Sequence, residues 1–183
     1  MVTAQPDPIG NQNPPELGLW DLIREDFAAH DKEFLRPGFQ TILVHRLGNA
    51  RMDVGSRVVR VPLSLLYRYM YRRVRNRYGI ELEYSTRLGR RVVIDHQSGI
   101  VVSGFCRIGD DTRLRQNVTL GLRSAESNGA PTIGRRVDIG AGAVILGGVT
   151  IGDDAVIGAN AVVLTDVPPG ALAVGGPATI KKR

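Results

Sequence analysis

From Leu88 onward, an aliphatic residue returns at nearly every sixth position, and glycine or another small residue usually follows it. An α-helix would need a period of 3.6 residues and a half-buried strand a period of two, so this spacing fits neither. Each hexapeptide instead predicts one short strand and one turn, and three hexapeptides close a triangular coil of a β-solenoid. The ladder has twelve positions, which make about four coils: Leu88, Ile94, Ile100, Ile108, Leu114, Leu120, Ile133, Ile139, Ile145, Ile151, Ile157 and Val163.

Two interruptions of this period predict loops that leave the solenoid surface. Two extra residues separate Ile100 from Ile108, and a longer insertion separates Leu120 from Ile133. The longer insertion, residues 122–132, lies two rungs beyond the coil that contains His96. We therefore expect this loop to contribute to a functional site.

The segments outside the ladder have a different composition. A stretch rich in proline, asparagine and glutamine opens the chain, and helix-compatible apolar spacing follows it, with breakers at Pro37-Gly38 and at residues 53–55. The sequence therefore predicts a mainly β protein with a small N-terminal helical cap. Its predicted parts are a flexible tail (1–18), a helical cap (19–80) with helices at Leu19–Ala29, Phe39–Gly48 and Ser56–Arg77, the β-helix (81–166), and a C-terminal extended segment (167–183) with the basic tail Lys181, Lys182 and Arg183.

Composition excludes several classes of protein. With 183 residues, 43% of them apolar, the chain is long enough for one substantial core and too apolar for disorder. No apolar run approaches the roughly 20 residues that cross a bilayer, and the first residues hold no signal-peptide core, so we expect a cytoplasmic protein without a membrane span. Cys106 is the only cysteine, and we expect it to be a small buried hydrophobe.

The charge distribution raises the question of nucleic acid. The formal net charge is +6, and five arginines gather between residues 68 and 77, where tyrosines interleave with them. This pattern suits RNA, but it also describes an amphipathic helix whose arginines extend along an apolar surface toward water. We favour the helix and expect no nucleic-acid partner. The sequence leaves the role of the arginine cluster open.

Five segments in and after the repeat carry a more specific signal. They are Ile94–Val102 (IDHQSGIVV), Gln116–Gly121, Ile139–Ala143, Val167–Gly170 and Gly175–Ala178. Through them the chain, over roughly residues 20–180, resembles the serine acetyltransferase group of hexapeptide-repeat acyltransferases. The resemblance implies a left-handed parallel β-helix of about four coils, and an enzyme that transfers acetyl from acetyl-CoA directly to an acceptor hydroxyl.

The resemblance also implies roles for individual residues. His96 matches the family's general base, and imidazole is the side chain best suited to taking a proton from a hydroxyl near neutral pH. Glu81 matches the carboxylate, usually aspartate, that orients this histidine; because glutamate is one methylene longer, Glu83 is an alternative. Asp95 and, on a looser alignment, Asp26 match aspartates that bind the acceptor.

The same resemblance implies how the acetyl donor is held. The family binds acetyl-CoA in the groove between neighbouring solenoids of a homotrimer, and Gly121, Ala141 and Ala159 match the small residues that line its pantetheine arm. We expect no metal, because three scattered histidines and one cysteine do not make a metal site.

The acceptor is less well determined. Serine acetyltransferases carry Gly-Asp-Arg-His-Pro in the long loop, where this chain has Ser127–Pro131, and Arg123 is a candidate for the missing cation. The shorter loop also resembles polysaccharide-assembly acetyltransferases of the colanic-acid type, which modify a sugar hydroxyl. Serine is therefore the first expectation and a sugar hydroxyl the alternative. We expect no complex with cysteine synthase, and a non-catalytic scaffold is the third possibility.

Overall fold

In the computed structural model, which describes residues 10–124 and 129–182, a helical region precedes a parallel β-solenoid. The helices confirm the three that the sequence predicts. They are α1 (Leu19–Ala29), α2 (Pro37–Ala50) and α3 (Arg57–Tyr78), with a 3₁₀ turn at Arg51–Asp53. α2 begins two residues before its predicted start, because Pro37 in the first helical turn lacks only an N–H that would have no intrahelical partner there.

The solenoid consists of short strands that alternate among three sheets. The first sheet contains strands 1, 4, 7, 10 and 13, the second contains 2, 5, 8 and 11, and the third contains 3, 6, 9, 12, 14 and 15; every pairing is parallel except that of the last two strands. The strands are β1 (Ile80–Leu82), β2 (Arg87–Leu88), β3 (Val93–Ile94), β4 (Ile100–Val102), β5 (Arg107–Ile108), β6 (Arg113–Leu114), β7 (Thr119–Gly121), β8 (Thr132–Ile133), β9 (Asp138–Ile139), β10 (Val144–Leu146), β11 (Thr150–Ile151), β12 (Val156–Ile157), β13 (Val162–Val163), β14 (Leu172–Val174) and β15 (Thr179–Lys181).

The predicted aliphatic ladder forms the core of the solenoid. All twelve predicted positions are at most 3% exposed, and the parallel register stacks residues of successive coils above one another. This stacking confirms the hexapeptide interpretation. Leu82 before the ladder and Ala173 after it extend the same columns, through pairing of β1 with β4 and of β12 with β14.

One predicted rung is displaced by two residues. β4 pairs with β7 so that Val102 lies opposite Leu120, and Val102 rather than Ile100 therefore occupies the column. Ile100 is buried as well, so the hydrophobic pattern could not distinguish the two residues. The two extra residues consequently lie in the turn between Ile94 and Val102, which contains His96, and not after Ile100.

The turns of successive coils stack into corners. We call residues 95–99, 115–118, 140–143 and 158–161, between the third and first sheets, the site corner. We call residues 89–92, 109–112, 134–137 and 152–155, between the second and third sheets, the charged corner. Both contain residues with positive φ, a conformation that asparagine, aspartate and glycine adopt more readily than other residues; they include Asn117, Gly142 and Asn160 in the site corner and Arg91, Asp111, Arg136 and Asp154 in the charged corner.

A buried ion pair joins the helical region to the first coil. Arg46 of α2 and Asp26 of α1 are both at most 1% exposed, and the Arg46 Nε donates to an Asp26 carboxylate oxygen at 2.8 Å. Arg46 also donates to the backbone carbonyls of Leu88 and Gly89. The guanidinium therefore ties both helices to the turn after β2.

The described part of the N-terminal segment, which the composition predicts to be a flexible tail, makes polar contacts with α2 and β2. The backbone N–H of Gln12 donates to the Asn49 side chain at 2.8 Å, and Arg87 of β2 donates to the Gln12 side chain at 2.7 Å. Residues 11–13 are thus attached by polar contacts, which a hydrophobic pattern does not register. Residues 1–9 and residues 125–128 of the long loop lie outside the described residues.

Cys106 is fully buried, as predicted, and its burial raises the pKa of the thiol to about 12. None of the helices in the described residues is both long and apolar enough to cross a membrane.

Candidate functional site

His96 lies in the site corner, in the turn that carries the two-residue insertion. Its side chain is exposed, and the following Ser98 and Gly99 have φ of 93° and 65°. A Cβ on Gly99 would lie 2.2 Å from the Asn117 side-chain oxygen of the next coil, so only glycine fits there. The Ser98 N–H donates to the carbonyl of Tyr78 at 2.8 Å. The turn is therefore fixed from both sides while the imidazole faces outward.

The helical region contacts the strand immediately before His96. The backbone N–H of Ile94 donates to Nε2 of His30 at 3.3 Å, and Nδ1 of His30 donates to the Asp26 carbonyl at 2.7 Å. Burial lowers the pKa of His30, which favours the neutral imidazole that this pair of bonds needs. A Cβ on Gly38 would lie 2.1 Å from the Ile94 carbonyl oxygen, so α2 contacts this backbone directly.

Asp95 is held by two arginines. Its carboxylate accepts from Arg36 at 3.2 Å and from Arg113 at 2.7 and 2.8 Å. The Asp95 side chain is 10% exposed, whereas that of Arg113 is 47% exposed. A cation that comes from outside the chain would therefore have to displace Arg113 before it could bind this carboxylate.

Glu81 lies in β1 and Glu83 directly follows it, so the two carboxylates lie at different distances from the His96 turn. Both side chains are exposed, and Gly79, just before β1, packs against Ser98 in that turn. Because a strand rises about 3.3 Å per residue, Glu83 is roughly 7 Å farther along the strand than Glu81. Glu83 also accepts from the hydroxyl of Ser85 at 3.4 Å. No hydrogen bond joins either carboxylate to His96 within the described residues, so the role of Glu81, with Glu83 as the alternative, stays a prediction.

The structure does not leave Asp26 open to an acceptor, contrary to the expectation from the loose alignment. Its carboxylate is buried and bonded to Arg46 and to the backbone N–H of Arg91. Burial raises the pKa of this carboxyl, and the Arg46 guanidinium opposes that rise. Asp26 is therefore part of the helix packing. The sequence showed the carboxylate but not its partner, which lies 20 residues away on another helix.

Arg123, the predicted substitute cation, is exposed at the start of the long loop. Its Cβ lies beside Gly147, where β10 ends. This position is at the opposite end of the first-sheet strands from the His96 turn.

The three small residues predicted to line the donor site lie on the outside of the solenoid. Ala141 and Ala159 are in the site corner, one coil apart, where the N–H of Asn160 donates to the Ala141 carbonyl at 2.8 Å. Gly121 ends β7, and a Cβ there would meet nothing closer than Leu146 at 3.8 Å. The fold of the single chain therefore does not itself require glycine at position 121, and the space above it is open.

A cavity of about 460 Å³ adjoins the His96 turn. Gln97, the residue after His96, lines it together with Arg77 and Tyr78 at the end of α3 and Leu35 and Pro37 before α2. The Tyr78 hydroxyl donates to the Gln40 side chain at 2.7 Å, which fixes the ring. This cavity is large enough for a small hydroxyl compound.

The sequence did not reveal several residues that shape this site: His30, Arg36, Gly38 and Arg113. Each acts through a contact between segments distant in sequence, and none is one of the aliphatic ladder positions. Among the described residues, no group of three or more His, Cys, Asp or Glu side chains is arranged to hold a metal ion.

Comparisons with known proteins identify the family to which this fold belongs. The family model described as bacterial transferase hexapeptide (six repeats) matches residues 130–165. Serine acetyltransferase of Helicobacter pylori is 40% identical over 166 residues, which cover 88% of this chain and 93% of that protein. The protein of Escherichia coli named as a colanic acid biosynthesis acetyltransferase, WcaB, is 38% identical over 120 residues, covering 66% of this chain and 72% of that protein.

The solved structures lead to the same family. The soybean serine acetyltransferase apoenzyme superposes with a TM-score of 0.74 at 31% identity, covering 89% of this chain and 69% of that one. Serine acetyltransferase of Neisseria gonorrhoeae gives a TM-score of 0.74 at 29% identity, covering 90% and 66%. On this likeness in sequence and fold, the chain is an acyltransferase that belongs to the serine acetyltransferase family of hexapeptide-repeat proteins.

Proposed function

We propose that this chain transfers the acetyl group of acetyl-CoA to the hydroxyl of serine, with His96 as the general base. The observation that carries the proposal is the turn itself: a family-matching histidine, exposed at an insertion in the coil and held by backbone contacts on both sides. An outward imidazole on a fixed backbone is the arrangement that a base needs in order to meet an acceptor.

The chemistry requires one proton to move twice. His96 takes the proton of the acceptor hydroxyl as the oxygen attacks the thioester carbonyl carbon, and the tetrahedral intermediate then expels the thiolate of CoA. The imidazolium returns the proton to that sulfur. Glu81, by accepting from the other ring nitrogen, would fix the tautomer and stabilise the imidazolium.

The open surface above Gly121 and the small residues Ala141 and Ala159 support a donor site on the outside of the solenoid. In a homotrimer a neighbouring solenoid would cover this surface and form the second wall of a groove for the pantetheine arm. Asp95 would bind the serine amine once that amine displaces Arg113.

A sugar hydroxyl is the second candidate acceptor, and one observation favours it. Asp95 already has two arginine partners, so an acceptor without an amine would leave both ion pairs intact. The similarity to WcaB supports the same alternative.

Release of the CoA thiol, measured with serine and with a panel of sugars, tests the function and separates the two acceptors. We expect His96→Ala to lower kcat by roughly 10²- to 10⁴-fold. Thr150→Ala, at an exposed position on the second sheet, serves as the control. Glu81→Gln and Glu83→Gln form a matched pair, in which only the first should lower kcat, by roughly tenfold or more. Undiminished turnover in His96→Ala would rule out the mechanism.

A further inference from the structure

We propose that α3 docks this protein onto a membrane surface that contains anionic phospholipid. This inference goes beyond acetyl transfer and starts from the arginines. α3 carries seven arginines and no acidic residue, and none of the seven forms an ion pair with a described residue: Arg57, Arg60, Arg68, Arg72, Arg73, Arg75 and Arg77. By contrast, the solenoid arginines that follow residue 89 are largely matched by carboxylates, as in Arg91–Asp111 and Arg136–Asp154. The charge of α3 is thus not paired with any carboxylate of the described residues, and it is available to an external anionic surface.

The same helix exposes apolar side chains that the fold does not cover. Val58, Val61 and Leu65 are 84%, 58% and 59% exposed, and Tyr69 is 64% exposed. Their spacing of three and four residues places them in one stripe along the helix. Arg68 and Arg72 continue this stripe toward the C-terminal end, so its first half is apolar and its second half is cationic.

A lipid surface matches both halves of the stripe. Valine and leucine side chains can enter the boundary between headgroups and acyl chains, while guanidinium groups make paired hydrogen bonds to lipid phosphates. Because no described helix is long and apolar enough to span a bilayer, the contact would be with the surface. Anionic lipid adds attraction for each arginine.

Two other partners fit the stripe less well. A second copy of the chain packed symmetrically on this face would bring two acid-free arginine helices together without counter-charge. RNA would leave the valines and the leucine exposed to water. The aromatic rings that could stack on bases are largely packed against other side chains of the chain. The ring centroid of Tyr67 lies 5.8 Å from that of Tyr71 and 5.7 Å from that of Tyr84. The Arg51 guanidinium lies 4.2 Å from the centroid of the Tyr67 ring, which is therefore already stacked within the chain.

Co-sedimentation with vesicles tests the proposal on the 183-residue chain. We expect the protein to sediment with vesicles of phosphatidylcholine containing about one quarter phosphatidylglycerol, and far less with phosphatidylcholine alone, with binding that weakens as salt rises. Because each arginine near an anionic surface contributes roughly fivefold in partitioning, Arg68→Ala/Arg72→Ala should lose roughly 25-fold. Val58→Ser/Leu65→Ser should lose roughly tenfold.

The matched control is Arg135→Ala/Arg136→Ala, which removes the same charge from the charged corner and should bind vesicles within about twofold of wild type. The proposal is overturned if the wild type ignores anionic vesicles or if the control loses as much binding as the α3 variant. It is also overturned if Val58→Ser/Leu65→Ser keeps vesicle binding but lowers the molar mass in light scattering, since α3 would then contact another copy. Sedimentation needs no acetyl transfer, so its result is separate from that of the thiol-release assay.

Discussion

The helical region and the solenoid use the same pair of chemical groups, a carboxylate and a guanidinium, in opposite surroundings. Asp26 and Arg46 are buried between helices, whereas Asp111 and Arg91 lie 39% and 34% exposed on the charged corner. Burial raises the pKa of Asp26, but the hydrogen bond from Arg91 lowers the pKa of Asp111. Loss of hydration has the larger effect on the carboxyl pKa in the first pair, and the arginine partner has the larger effect in the second. Ion pairs that look alike in sequence should therefore differ widely in their effect on stability.

The largest expected effect comes from breaking the buried pair. Asp26→Asn leaves Arg46 charged and buried without a full partner, and we expect it to lower the free energy of unfolding by about 3–5 kcal/mol. Asp21→Asn is the control, because it removes an exposed carboxylate with an arginine partner on the same helix. Urea denaturation of both variants measures the difference. Equal stability of the two would contradict the contrast between the regions.

A smaller effect is expected where the two regions touch. Gly38→Ala places a methyl group 2.1 Å from the Ile94 carbonyl oxygen, so backbone must shift. We expect a loss of about 1–3 kcal/mol in the free energy of unfolding, and a lower kcat because Ile94 leads directly to the His96 turn. Gly55→Ala, where a Cβ meets nothing within 4 Å, is the control. If kcat is unchanged in a destabilised Gly38→Ala, the helices do not position the turn.

The smallest effect is expected at the charged corner. Asp111→Asn should cost less than about 1 kcal/mol, and the cost should shrink in high salt because the pair is solvent-exposed. The pKa of Asp111 is lower in the folded state than the value of about 3.9 expected in the unfolded chain. Its stabilisation is therefore complete above that value and is lost as pH falls through the folded pKa. Thermal melts of wild type and variant should therefore differ less at pH 3 than at pH 7.

The sequence predicted the solenoid better than the helical region because the solenoid repeats. Every predicted rung from Leu88 to Val163 is buried. Because the same spacing recurs along the solenoid, each aliphatic position supports the assignment of the others. The period gave no means of choosing between Ile100 and Val102, which are both apolar, and so it misplaced the insertion that shapes the His96 turn. In the helical region, the partner of Asp26 depends on how two helices cross, and no repeated pattern encodes that crossing.

The candidate site also combines a feature that the local sequence reveals with contacts that only the fold creates. His96 is recognisable from its neighbours in sequence, but the two arginines on Asp95 come from α2's start and from β6, 59 residues before and 18 residues after it. Only the folded chain brings Arg36 and Arg113 together. The sequence could therefore not reveal these contacts, and it left serine and sugar open because Ser127–Pro131 stands where serine acetyltransferases carry Gly-Asp-Arg-His-Pro.

The last strand, β15, turns back and pairs antiparallel with β14. A parallel coil with a free end presents backbone donors and acceptors on which the first coil of another molecule could continue the ladder. The reversed strand interrupts that continuation on the third sheet, and the helices contact the first coil at the other end. End-to-end growth of solenoids into filaments is thereby opposed on the third sheet at one end and by the helices at the other.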